Sequence, residues 1–154
     1  MMDLSLINLS GHLWVENARQ EVIQCNKYSK NYGLTLSEED VTELVECRKN
    51  ALKDTGRIEF GGGILPKLIY AFCDSPFIYK DTYVSTLSEL QEAFYYYKGE
   101  AEELYTDDEL IDFMVKVFNG KAQGSLEYLS GTTLATLCKF AKEGMSIDEV
   151  GELY

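Results

Sequence analysis

The chain has 154 residues, 45% of them hydrophobic, and 14 Lys and Arg against 26 Asp and Glu leave a formal charge of −12. A chain of this length suits one domain that buries roughly 70% of its unfolded surface. The negative charge repels phosphate backbones and anionic membrane surfaces, which excludes nucleic acid and membrane as expected partners, and no run approaches the roughly 20 apolar residues of a membrane span.

Residues 1–11 read as a frayed N-terminal arm, and 12–154 as a single helical domain. From His12 to Tyr32 the pattern turns helical: Trp14, Ala18, Val22 and Cys25 recur at helical spacing, polar residues take the other side, and Gly33 supplies a stop. Ser37 is placed to cap a second helix, with Glu38, Glu39 and Asp40 complementing its positive end. Val41, Leu44, Val45 and Leu52 form its inner stripe, with Ala51 beside it and Gly56 at its end.

A glycine run, Gly61 to Gly63, then leads into the most apolar segment. Between Ile64 and Cys73 only Lys67 is charged, so a helix over about 64–73 is expected to be central to the fold. Pro66 sits in its first turn, and Asp74-Ser75-Pro76 closes it. Residues 77–81 read as irregular, and Asp81 or Thr82 is placed to cap the next helix. Its stripe is Tyr83, Leu87, Leu90, Phe94 and Tyr97, and Gly99 with the acidic 100–103 segment forms the connection after it.

Thr106-Asp107-Asp108-Glu109 is a capping box ahead of an apolar face of Leu110, Phe113, Met114, Val117 and Phe118, and Gly120 stops that helix. Residues 124–129 make a helical turn, and Gly131 with Thr132 or Thr133 restarts the chain into a helix ending near Gly144. Ser146-Ile147-Asp148-Glu149 is a further capping box opening a last short helix. No segment sustains strand alternation, so the expected fold is an all-α single-domain bundle of about seven helices.

Candidate chemistry is sparse. His12 is the single histidine, which removes histidine-rich metal sites and ties any nucleophile–histidine pair to the N-terminal region. The carboxylates at 107–109 and 38–40 are accounted for by capping and the helix dipole, so neither a metal nor a cofactor is expected. Cys25, Cys47, Cys73 and Cys138 form no Cys-x-x-Cys pair and no secretory signal precedes them, so reduced cytoplasmic thiols are expected.

Three features could act. The amides of Gly61, Gly62 and Gly63 at a helix N-terminus, with Arg57 and Lys67 nearby, could cradle an anion, but the Lys and Ser/Thr of a Walker loop are missing, and a simple hinge explains the same glycines. Glu127 lies between two glycines and, if buried, needs Arg48, Arg57 or a tyrosine hydroxyl. Tyr95, Tyr96 and Tyr97 spread over about 200° of a helix, so Tyr95 or Tyr96 must face outward, where tyrosine favours protein contacts.

The stretches 33–40, 60–76 and 123–129 together resemble a family of small bacterial proteins of unknown function, over about Ala18 to Leu137. The resemblance implies a bacterial, cytoplasmic setting; it carries no known activity and so transfers no catalytic residue. With no recognisable catalytic constellation, an acidic surface and a surplus of aromatic side chains, the expectation is a non-enzymatic acidic helical module that binds a protein partner or a second copy of itself. The alternative is a small-molecule or anion-binding protein, or an enzyme, that uses the Gly61–Gly63 loop, Arg57, Lys67 and Glu127.

Overall fold

The computed structural model describes residues 16–101 and 104–153. Among these residues there is no strand, and seven helical segments account for the chain. The arm at 1–11 and the residues His12 and Trp14 lie outside the described residues.

The first segment, α1 (16–32), is helical to residue 24, turns at Cys25 and ends in a tight 3₁₀ turn that Gly33 closes at φ 77°. The Asn26 side chain brackets Leu36, donating to its carbonyl at 2.8 Å and accepting from its amide at 2.7 Å. Those two bonds satisfy a loop backbone that would otherwise be orphaned, and they seat Leu34 and Leu36 in the core. Helix α2 (Glu38–Thr55) opens on a reciprocal capping box between Ser37 and Asp40 and ends at Gly56, φ 72°.

Helix α3 (Leu65–Phe72) places Leu65, Leu68, Ile69 and Phe72 at 0% exposure, against α1, α4 and α5. Lys67 and Tyr70 on its other side face solvent. Helix α4 (Tyr83–Glu100) packs along α2, and α5 (Asp107–Asn119) opens on the Thr106–Glu109 capping box. Segment α6 (126–142) is continuous, with a π-helical stretch at Leu129–Leu134, and α7 (Ile147–Gly151) closes the chain against α5 and α6. A single apolar core runs from Ala18 to Val150.

Five local expectations are corrected. Gly99 does not stop α4, which runs on through Glu100. Thr82 stands at the N-cap of α4 but makes no side-chain cap. The Gly124–Leu129 turn and the Gly131 restart are one helix: the π-helical stretch absorbs Gly131 by widening a turn rather than breaking it, and keeps Leu129, Thr133 and Leu134 inside. At α7 the Ser146 hydroxyl accepts from the Glu149 amide but also meets the Glu149 carboxylate, so the box is only half closed. Finally, of the three consecutive tyrosines Tyr95 is the buried one, and Tyr97 is only half-buried against the core. Glu59 of the 57–63 loop takes up the Tyr95 hydroxyl, and Tyr97 stands beside an open groove.

Candidate functional site

The glycine loop is pinned from below by charge. Residues 57–60 belong to no helix or strand and alternate in burial, with Arg57 and Glu59 turned inward and Ile58 and Phe60 outward. That inverts the usual pattern: Ile58 and Phe60 are 81% and 83% exposed, while the Glu59 side chain is 5% exposed. The Glu59 carboxylate accepts from Arg48 Nε at 3.2 Å and Tyr95 Oη at 2.5 Å on one oxygen, and from Arg57 Nε at 2.8 Å on the other. Arg57 continues to Asp107 at 2.6 Å and lies 5.7 Å from the centre of the Phe94 ring. Lys98 reaches the other Asp107 oxygen at 3.3 Å and donates to the Tyr105 carbonyl.

The backbone joins this knot. Arg48 Nη1 donates to the Gly61 carbonyl at 2.6 Å, and the Gly62 amide donates to Glu21 at 2.6 Å. The Gly63 amide is spent on the Phe60 carbonyl. Gly61 and Gly63 sit at positive φ, and a Cβ on Gly63 would stand 1.9 Å from a Glu59 oxygen. The glycines are thus required by carboxylates of the same chain, Glu21 and Glu59. Burial raises the Asp107 carboxyl, but the bonds from Arg57 and Lys98 outweigh it and leave the pKa below its ordinary value. Burial and the Glu59 carboxylate both push the Tyr95 phenol upward, so it stays a donor.

A second feature lies over the α2–α4 seam. There an open groove of about 1390 Å³ is bordered by α2, α4 and the start of α6. The α2 side presents Glu39, Glu43, Glu46 and Asp54 on the face away from the core. Glu89, Glu92 and Glu127 complete the acidic lining, which contains neither Lys nor Arg. Between the acids lie Cys47, Ala51, Ala93, Leu126 and Tyr97, with the exposed Tyr96 ring set edge-on to Tyr97 at 4.9 Å. Cys47 touches Ser88 at 3.2 Å and Glu92 at 3.5 Å across the seam.

The model of a family of unknown function, DUF6323, matches residues 21–147. The chain belongs to that family. The match takes in every residue of the knot, from Glu21 to Asp107, and the whole groove, from Glu39 to Ser130. No curated protein and no solved structure matches the chain.

The structure divides the residues singled out in the sequence between the two sites. Arg57, Gly61, Gly62 and Gly63 belong to the knot. Lys67 stands apart, half exposed, and pairs with Asp108 at 2.9 Å. Glu127 is exposed and meets neither Arg48 nor Arg57; it borders the groove together with Tyr95 and Tyr96. Tyr96 faces outward at 58% exposure, while Tyr95 is 2% exposed and spends its hydroxyl on Glu59. Among the described residues the buried glutamate is Glu59, which the sequence reading missed together with Glu21 and Lys98; Arg48 had been named, but as a partner for Glu127. A signal existed: Arg48 falls three residues after Val45 on the α2 inner stripe, and Lys98 four after Phe94 on that of α4.

The four cysteines are free thiols, three of them buried. No group of three or more His, Cys, Asp or Glu among the described residues is arranged to hold a metal ion. No helix among them is long and apolar enough to cross a membrane.

Proposed function

We propose that the protein is a non-enzymatic helical interaction module that docks a partner polypeptide in the groove over α2, α4 and the start of α6. The observation that carries this reading is the combination found there. An open groove of about 1390 Å³ joins small and apolar side chains to an outward tyrosine, and exposed amphipathic rings beside apolar surface favour protein contact. A volume of that size holds on the order of three helical turns, more than a metabolite needs.

Two further observations favour binding over chemistry. Burial, and after it the Glu92 carboxylate, raise the pKa of Cys47, so the thiol in the groove stays protonated and weakly nucleophilic. The anion-binding alternative draws less support, because Arg57 and the Gly62 and Gly63 amides already serve groups of this chain. Four free thiols suit a reducing compartment, and we place the protein in the cytoplasm.

The test compares three immobilised proteins: wild type, Ala93→Trp, which fills the groove, and Tyr79→Ser, which alters an exposed tyrosine outside it. A polypeptide retained by wild type and Tyr79→Ser but lost by a folded Ala93→Trp supports the reading. Equal retention by all three overturns it.

A further inference from the structure

Resting on that docking reading, we infer that the occupant of the groove is a basic amphipathic helix. The first reason is charge. Seven carboxylates line the groove and no cation does, whereas in the knot Glu59 and Asp107 are held by Arg48, Arg57 and Lys98. The chain's positive charge is therefore available where carboxylates are buried and withheld where they face the groove. A partner that brings Lys or Arg relieves repulsion among these acids, and an acidic or neutral partner leaves it in place.

The second reason is shape. The groove residues of α2 recur as pairs, 42/43, 46/47, 50/51 and 54/55, and those of α4 as 88/89, 92/93 and 96/97. Each set is a row at four-residue spacing, the ridge that a third helix packs between. Within the rows small side chains, Cys47, Ala51, Ser88 and Ala93, alternate with the acids and admit close approach. From Glu39 to Asp54 the α2 row extends about 22 Å, the length of a helix of about 15 residues. The carboxylates are spread along that length and form no metal-holding cluster, which matches cations repeated along a helix better than one ion. The occupant then carries an apolar stripe at three- and four-residue spacing flanked by Lys or Arg.

The experiment titrates the full chain with three synthetic 16-residue peptides: a Leu/Lys amphipathic helix, its scramble of equal charge, and a Leu/Glu amphipathic helix. Calorimetry is run on wild type, Glu43→Lys/Glu89→Lys and Ala93→Trp, each checked for a cooperative melt. The Leu/Lys helix should bind wild type at least about tenfold tighter than either other peptide, and weaken with added salt. The charge reversal should cost a further factor of about ten, and Ala93→Trp should remove binding. Equal binding of the Leu/Glu helix, still abolished by Ala93→Trp, overturns the inference while the docking reading stands. Equal binding of the scramble, or Leu/Lys binding that survives Ala93→Trp, reduces the effect to diffuse charge attraction and also overturns it. Failure of all three peptides, with concentration-dependent self-association abolished by Ala93→Trp, makes a second copy the occupant and overturns it likewise.

Discussion

Two carboxylate-rich regions of this protein lie back to back across α4, and they use the same side chain in opposite ways. In the knot, Glu59 is buried and its two oxygens accept three hydrogen bonds. In the groove, Glu43, Glu89 and their neighbours line an open surface that contains no cation. Tyr95 touches both, bordering the groove while its hydroxyl holds Glu59. The contrast teaches that a carboxylate's role here follows from what the fold places opposite it. Buried ion pairs contribute modestly to net stability because desolvation opposes their attraction, so the knot acts chiefly by fixing where the glycine loop runs. The apolar core, with α3 at its centre, supplies the driving force.

The sharpest way to break the comparison is to remove the buried carboxylate of the knot. Glu59→Ala takes the counter-charge from Arg48, which is 0% exposed, and should destabilise the fold by about 3–5 kcal/mol in denaturant melts. A similar loss from Glu43→Ala in the groove would erase the distinction between the regions. Gly63→Ala should come next, at about 1–3 kcal/mol, because φ is +61° and the new methyl meets Glu59 and Arg48.

Acid separates the regions by mechanism. The folded pKa of Asp107 lies below its ordinary value of 3.8, so its contribution is present above that pH and is lost as the pH falls through the folded value. Asp107→Asn should therefore flatten the acid limb of a stability-versus-pH curve below about pH 4, and an unchanged limb would show that the Arg57–Asp107 pair does not contribute. The smallest effects are expected at the outward residues. Phe60→Ser, one position from Glu59, should change stability by no more than about 0.5 kcal/mol, since the ring is 83% exposed. Tyr96→Asp should likewise leave the melt unchanged while weakening association with a partner; unaltered association would remove Tyr96 from the docking face.

Much of the fold was legible in the chain itself. Caps are local, so the Ser37 and Thr106 starts and the Gly33 and Gly56 stops could be read directly. The apolar stripe of α3 repeats at helical spacing, and its four core residues follow from that periodicity. Glu127 could not be placed in this way: its burial was open in the sequence, and the structure leaves it exposed at the groove rim. The burial of Glu59 and the exposure of Phe60 were equally illegible, since hydropathy ranks each residue singly and does not register that Arg48, Arg57 and Tyr95 converge on one point.

What the sequence determined alone was therefore the all-helical class, the core stripes, the caps and the acidic balance, because each depends on residues within a turn or two of one another. Tertiary structure decided which charges were neutralised. Glu21 meets Gly62 across 41 positions, Arg57 meets Asp107 across 50, and Tyr95 meets Glu59 across 36. At such separations only the packed fold brings donor and acceptor together, and the same packing left the carboxylates of α2 and α4 facing an open groove.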